Sequence, residues 1–207
     1  MAYFPLFIDL NQKQGLVVGG GPVAARKIRT LLPYGPHLTV CAPSVLPELE
    51  ALPGLTVRRE PFSPALLEGA FFVIAATDDR ELNSHIAKLC RERNIPVNVA
   101  DPGTESTFLF PSVVRRGPLT VGISTGGKSP SAAHYLKEQI EGLLPDNLEA
   151  ILLWMDAARE ELKGSTLSQP QRSACLSRLF ATALQASGPL SREETQSLLS
   201  FETEELP

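Results

Sequence analysis

A short apolar strand that runs directly into three glycines constrains this chain more than any other feature. Residues 15–19 read as a buried strand, and residues 19–24 read G-x-G-x-x-A as a helix begins. Gly19 permits the tight turn, Gly21 leaves the approach to the helix open, and Ala24 lets helix and strand pack closely. The start of such a helix presents free N–H groups and a partial positive charge to phosphates. The pattern predicts a dinucleotide-binding turn, and a merely glycine-rich turn is the alternative.

Strands and helices alternate through the first hundred residues, which predicts an open parallel sheet covered on both faces. The first nine residues read as an edge strand that contains a proline. The strongest apolar run, residues 71–76, is expected in the middle of the sheet, and Asp79 is expected to cap the helix that follows it. The other strands are predicted at residues 38–41, 55–58 and 96–100, and the helices at residues 23–32 and from 79 to about 94.

The pattern of the sequence changes after residue 107. Two apolar runs with no helix between them meet at Arg116-Gly117-Pro118, which has the composition of a turn between antiparallel strands. Ser129 followed by Pro130 is typical of a helix start, and the residues from about 145 onward are helical in type. We therefore predict an α/β nucleotide-binding domain over residues 1–112, a small strand-rich region over 113–145 and a helical region over 146–207. Because the strand-rich region has too few strands to close a sheet of its own, we expect a homodimer.

The composition argues against several classes of protein. The net charge of −4 over 207 residues argues against a general nucleic-acid binder. No segment approaches the roughly 20 apolar residues of a membrane span, and the start of the chain has no signal-peptide pattern. The three cysteines, Cys41, Cys90 and Cys175, form no paired motif. This spacing predicts no metal site and a reduced, cytoplasmic protein.

One part of the usual dinucleotide site is missing. An acidic residue that holds the ribose hydroxyls is expected about 20 residues after the glycines, at the end of the second strand. That place holds Cys41-Ala42-Pro43-Ser44, and it offers no arginine for a 2′-phosphate either. The residues alone therefore leave the choice between NAD and NADP open.

Five segments of the chain are informative together: residues 4–7, 18–27, 75–79, 98–101 together with 110–112, and 123–130. In this order they resemble the precorrin-2 dehydrogenase/sirohydrochlorin ferrochelatase family, which is found alone or as the N-terminal part of siroheme synthases. The resemblance covers residues 1–145 well and the helical tail only loosely. It implies a Rossmann-type domain, a strand-rich dimerisation region and a helical C-terminal region.

The resemblance implies a function as well as a fold. It implies oxidation of precorrin-2 to sirohydrochlorin with NAD as the cofactor and Asp101 as the catalytic residue. One alternative is an enzyme that also inserts ferrous iron into sirohydrochlorin, and another is a non-catalytic module that senses the nucleotide. Besides the glycine turn, the residues implied to contact NAD are Pro22, Val23, Pro43, Ser44, Thr77 and Asp78.

The position of Asp101 in the sequence also suggests a catalytic role without the resemblance. It directly follows the predicted strand at 96–100, and ligands of open α/β sheets lie at the carboxyl ends of the strands. A carboxylate beside a nicotinamide can accept a proton as the hydride leaves. The alternative is a turn aspartate, which the following Pro102-Gly103 favours.

Four residues after the first domain are candidates for contact with the substrate. Basic residues here, Arg115 and Lys128 among them, are suited to the carboxylates of a tetrapyrrole, or else form a charged edge that prevents strand aggregation. Thr125 stands where the resembling proteins often carry serine. His134 is placed near it on the helix that begins at Ser129.

Overall fold

The computed structural model describes residues 3–100 and 105–201, and the chain divides into two compact units, Met1–Phe110 and Pro111–Pro207. The first unit is built on a parallel five-stranded sheet with the strand order β3-β2-β1-β4-β5. The predicted fold class is therefore confirmed, while the three-region division stays a prediction. The strands are β1 Gln14–Val18, β2 His37–Cys41, β3 Leu55–Arg58, β4 Phe72–Ala75 and β5 Val97–Val99.

Helices cover both faces of this sheet because successive residues of its strands point to opposite sides. In β4, Ile74 packs in the cluster under α1 and α2, and Val73 packs in the cluster under α3. β4 lies between β1 and β5, as expected of the most apolar run. The helices of this unit are α1 Pro22–Leu31, α2 Pro47–Glu50 and α3 Arg80–Glu92, with 3-10 turns at Leu32–Tyr34 and Pro64–Leu67.

Helix α3 begins and ends where its sequence signals lie. The Asp79 carboxylate accepts a hydrogen bond from the Leu82 N–H at 3.0 Å, so the predicted cap is confirmed. Just beyond the helix, Asn94 has a φ of 57°, the left-handed conformation that terminates helices. The next strand then starts at Val97.

The outer edge of β5 is covered by the segment that returns after it. The N–H of Val97 donates to the Thr107 hydroxyl and the N–H of Val99 donates to the Ser106 hydroxyl, both at 2.8 Å. The Thr107 N–H donates in turn to the Val97 carbonyl at 2.8 Å. Side-chain hydroxyls thus provide acceptors that a neighbouring strand would otherwise supply.

The expectation of an edge strand at the N-terminus is wrong for the described residues. Residues 3–10 have no strand structure, and Phe4, Leu6 and Phe7 are 86%, 72% and 73% exposed. Pro5 has no N–H to offer a ladder. Among the described strands, β3 and β5 end the sheet, and neither pairs with this segment.

The second unit joins a hairpin to a set of helices. Strands β6 Ser112–Arg116 and β7 Leu119–Ile123 pair antiparallel, and Gly117 in the turn between them has a φ of 55°. The predicted hairpin is therefore confirmed. Helix α4 packs on the hairpin, and the remaining helices share a core around Ile151, Leu179 and Ala183. These helices are α4 Pro130–Leu143, α5 Leu148–Lys163, α6 Gln169–Gln185 and α7 Arg192–Phe201.

None of the helices in the described part of the chain combines the length and the apolar character that a bilayer span requires.

Candidate functional site

The glycine turn after β1 is packed backbone against backbone. Gly19 has a φ of 118°, and a Cβ built there would lie 2.2 Å from the Ala76 carbonyl oxygen. A Cβ on Gly20 would lie 2.3 Å from the Ser44 carbonyl oxygen. Any side chain at either position would collide with a main chain that has no freedom to yield. These two glycines therefore let the loops after β1, β2 and β4 meet.

Main-chain hydrogen bonds fix the same three loops. The Gly19 N–H donates to the Cys41 carbonyl at 2.9 Å, and the Leu46 N–H donates to the Gly20 carbonyl at 3.0 Å. The Ala76 N–H donates to the Val18 carbonyl at 2.8 Å. The structure thus gathers three groups of predicted contact residues at the carboxyl edge of the sheet: the glycine turn, Pro43 with Ser44, and Thr77 with Asp78.

The N-terminus of α1 is open at this edge. Gly21 is the N-cap residue, no side chain caps the helix, and a Cβ on Gly21 would meet nothing within 4 Å. Pro22 occupies the first turn, where its missing N–H costs nothing, and Ala24 is fully buried against the sheet. The first-turn N–H groups of Val23 and Ala24 have no acceptor within the helix. A diphosphate fits this open, donor-rich end.

The loop after β4 is held by a buried amide that the sequence reasoning did not single out. Asn83 on α3 is 1% exposed. Its side chain accepts from the Thr77 N–H at 3.2 Å and donates to the Thr77 carbonyl at 3.0 Å. The Thr77 hydroxyl donates to the same amide oxygen at 2.8 Å. Thr77 is therefore fixed, while Asp78 beside it is exposed. The available signal was a polar residue on the apolar face of α3.

Two arginines border the end of β2, where the sequence showed none nearby. Arg58 of β3 stands opposite Cys41 in the sheet register. It pairs with Glu60 at 3.3 Å, and Arg59 pairs with Glu50. The strand register brings β3 to this place, so spacing along the sequence did not reveal it.

The Cys41 thiol at the same strand end is not a nucleophile. It is fully buried and donates to the Glu60 carbonyl at 3.1 Å. Burial, with a smaller contribution from the Glu60 carboxylate, raises its pKa above the ordinary value. The thiol therefore stays protonated and serves packing.

Asp101, the predicted catalytic residue, lies outside the described residues. The residue before it, Ala100, donates its N–H to the Ala75 carbonyl at 2.8 Å. Ala100, the last described residue before Asp101, therefore lies beside the end of β4, the strand that leads into Thr77.

Two other buried polar residues of the first unit were also not singled out as site residues. Lys27 on α1 is 9% exposed and donates from Nζ to Oδ1 of Asn98 at 2.7 Å. Asn98 on β5 is 4% exposed. Burial, together with the nearby Arg26 guanidinium, lowers the pKa of Lys27 to about 8.

The predicted substrate contacts in the second unit lie in two places: Thr125, Lys128 and His134 stand at the start of α4, and Arg115 stands beside the turn of the hairpin. The Thr125 hydroxyl accepts from the Ser129 N–H and donates to the Ser129 carbonyl, both at 3.1 Å, so it closes the turn. The Ser129 hydroxyl accepts from the Ala132 N–H at 3.1 Å, which confirms the predicted cap. Lys128 is exposed, as is Arg115 on β6. His134 is exposed and lies 3.4 Å from the Glu138 carboxylate.

Within residues 3–100 and 105–201, no three His, Cys, Asp or Glu side chains form a group that could hold a metal ion.

The sheet order, the glycine turn and the open helix end together define a dinucleotide-binding α/β domain of the Rossmann type. A family model described as NAD(P)-binding matches residues 6–112, just over half of the chain. A second model, for the central part of a sirohaem biosynthesis protein, matches residues 116–143. The chain therefore belongs to this NAD(P)-binding family. In this chain the NAD(P)-binding region is followed directly by the segment that matches the sirohaem biosynthesis model.

Individual relatives agree with the two family models. The chain is 44% identical to a siroheme synthase of Tolumonas auensis over 79% of its own length and 35% of that protein. It is 40% identical to siroheme synthase 1 of Pectobacterium atrosepticum over 94% of its own length and 42% of that protein. The chain thus spans less than half the length of these relatives. The family resemblance seen in the sequence is confirmed.

A solved structure matches the chain along nearly its whole length. It is titled SirC, precorrin-2 dehydrogenase, and it superposes with a TM-score of 0.74 at 25% identity. The superposition covers 98% of this chain and 100% of that one. The structural match therefore includes the helical region, for which the sequence resemblance is only loose.

Proposed function

We propose that this chain is an NAD-dependent dehydrogenase that oxidises precorrin-2 to sirohydrochlorin in siroheme biosynthesis. One observation carries the proposal. The open N-terminus of α1 lies where three strand ends meet, in a chain that aligns over its whole length with a precorrin-2 dehydrogenase. A nucleotide-sensing module needs only the glycine turn, so the full-length likeness favours an enzyme.

The cofactor lies, in this proposal, across the carboxyl edge of the sheet. The N–H groups of Val23 and Ala24 hold the diphosphate, and Gly21 leaves room for it. The loop at Pro43 and Ser44 faces the adenosine half, and the remaining contacts come from Thr77 and Asp78. Strand order supports this division because β1 lies between β2 and β4.

The pairing of the neighbouring arginines supports NAD as the preferred cofactor over NADP. Arg58 lies opposite Cys41 at the end of β2, and both Arg58 and Arg59 already have a carboxylate partner. A 2′-phosphate is usually met by an arginine free to bind it. A paired guanidinium has much of its charge neutralised, so it gains less from a second anion.

The chemistry divides between the cofactor and the chain. When bound, the nicotinamide supplies a hydride acceptor for the C–H bond that breaks in the macrocycle. Asp101 accepts the proton that the macrocycle loses, and Arg115, Lys128 and His134 recognise its carboxylates. Thr125 contributes by holding the turn in which Lys128 lies.

Iron insertion into sirohydrochlorin is the second candidate activity. Relatives named siroheme synthases align with 94% of this chain, including the helical region. A ferrous iron assay with sirohydrochlorin, compared with the protein-free rate, decides whether it is present.

We also propose that the chain forms a homodimer. Its hairpin is a two-stranded sheet, and its strand edges have no further strand to pair with among the described residues. On α4, Tyr135, Leu136 and Leu143 are 59%, 44% and 80% exposed. The cytoplasmic location stays a prediction from the sequence.

The deciding experiment is oxidation of precorrin-2 followed by absorbance, with NAD or NADP, in the parent protein and in Asp101→Asn. The parent is expected to form sirohydrochlorin and NADH. Removing the base is expected to lower turnover by about a hundredfold to ten-thousandfold without changing NAD affinity. Asp156→Asn, an exposed aspartate on α5, is the matched control.

Two outcomes would contradict the proposal at different points. A parent protein that leaves precorrin-2 unchanged would refute the function. A D101N variant that turns over at the parent rate would place the base elsewhere while leaving the function intact.

A further inference from the structure

A buried cation links α1 to the far edge of the sheet. The Lys27 ammonium donates to the Asn98 amide oxygen at 2.7 Å and lies 4.1 Å from the centroid of the Phe110 ring. Among the described residues, no carboxylate forms an ion pair with it. A charge buried without a counter-charge is costly for folding. A methionine would fill the same space without the free-energy cost of burying a charge. We therefore look for a role of Lys27 beyond packing.

The cation dictates the orientation of Asn98. An ammonium can only donate, so it must face the amide oxygen and turn the amide nitrogen the other way. That nitrogen donates to the Phe108 carbonyl at 2.9 Å. Lys27 therefore sets which end of Asn98 is available to Phe108.

Phe108 belongs to the segment that returns along the edge of β5. This return segment, residues 105–110, also accepts main-chain hydrogen bonds from Val97 and Val99 through its two hydroxyls. Its rings at Phe108 and Phe110 pack on the cluster beneath α1. The return segment is thus tied to the sheet from its edge and from one face.

We propose that Lys27 is a positioning residue for the dehydrogenase reaction, acting through Asn98 to hold the return segment on β5. The proposal rests on the proposed function, because the sequence between β5 and the return segment contains Asp101. Lys27 touches neither cofactor nor substrate in this proposal. Its effect is expected on turnover, since the N–H groups that take the diphosphate belong to Val23 and Ala24, about one turn before it on α1.

The first test compares Lys27→Met with Arg26→Met. Both remove one positive charge from α1, but Arg26 is exposed and takes no part in the buried network. K27M is expected to bind NAD as the parent does, with kcat lowered about tenfold or more and KM nearly unchanged. Its amide protons at Val99 and Thr107 are expected to exchange at least about tenfold faster by NMR. R26M is expected to match the parent in all of these.

A double variant separates positioning from packing. K27M leaves the Asn98 oxygen without its donor, which destabilises the fold by itself. K27M/N98L removes the amide oxygen that K27M leaves without a donor, but it also removes the donor to the Phe108 carbonyl. Stability is therefore expected to recover only in part, while turnover and amide protection stay low. If K27M does not fold, the double variant carries the whole test.

The outcomes that overturn the proposal are distinct from failure of the proposed function. Recovery of parent turnover and protection in K27M/N98L would show that the Lys27–Asn98 pair does not hold the return segment. Parent-like exchange at Val99 and Thr107 in a folded K27M would show that it does not hold the return segment. The exchange measurement needs no substrate, so it decides this point even if the parent fails to oxidise precorrin-2.

Discussion

Three adjacent glycines are required for three different physical reasons. Gly19 adopts a φ of 118° that side chains disfavour, and Gly20 lies in close contact with the backbone at Ser44. Gly21 has an ordinary φ of −87° and open space in front of it. Only the first two are therefore demanded by the fold, and the absence of a side chain at Gly21 serves whatever binds there.

Gly21→Asp is expected to weaken NAD binding without weakening the fold. Aspartate is a good N-cap residue, and exchange for glycine there changes helix stability by only about a few tenths of a kcal/mol. Its charge, however, would stand where the diphosphate binds. We expect affinity by calorimetry to fall at least about tenfold, which is about 1.4 kcal/mol. Gly21→Asn, neutral and of the same size, separates charge from bulk, and unchanged NAD affinity in G21D would rule out this site.

The burial of Lys27 makes a prediction about stability and pH. Its pKa is about 8 in the folded protein and 10.5 as the ordinary value. Below pH 8 both states carry the proton, so the full cost of burying the charge is present. Between about 8 and 10.5 the folded state loses the proton first, so stability rises with pH. Urea unfolding of the parent and K27M at pH 7 and 9.5 is expected to show a relative gain for the parent at pH 9.5. An equal difference at both values would contradict a lowered pKa, and the comparison cancels the titration of the cysteines.

Among the secondary-structure elements, the strands of the sheet were predicted from their continuous apolar sequence. β1 and β4 are interior strands, so burial on both faces required continuous apolar sequence, which is easily recognised. The ends of α3 and α4 were predictable because Asp79 and Ser129 act through their own next turn. A hydrogen bond between residues close in sequence can be predicted from that stretch of sequence alone.

Features that depend on distant pairing were not predictable in this way. The hydroxyls of Ser106 and Thr107 serve β5 only because the chain folds back along it. The N-terminal segment has strand composition but finds no strand to pair with in the described part of this chain. Arg58 reaches the end of β2 only through the strand register.

The residues of the candidate site show the same contrast between features set by local sequence and features set by distant partners. The glycine turn could be predicted, since its requirements lie within six consecutive residues. Asn83 and the pair Lys27–Asn98 could not, because each is defined by a partner on another element. The sequence shows such a residue only as a polar side chain among apolar helix positions, and it does not show the partner.

For the whole molecule, exposed apolar surface is the feature that a single copy leaves unexplained. The second unit exposes Tyr135, Leu136 and Leu143 on α4, next to a hairpin of only two strands. Strand edges and apolar helix faces of this kind are commonly covered by a second copy of the chain. The helix that packs on the hairpin is therefore the surface to alter.

We expect the 22.4 kDa chain to sediment at micromolar concentration with twice its own mass. Leu143→Glu places a charge on the most exposed of these three α4 side chains, and if that face is buried between copies the charge must be desolvated there. L143E is therefore expected to sediment as a monomer and to unfold at lower urea concentration, since the contacts between the two copies are lost. Leu153→Glu, an equally apolar and 60% exposed position on α5, is expected to leave the dimer intact. A parent protein that stays monomeric would refute the dimer, and a dimer that survives L143E would place its interface away from α4.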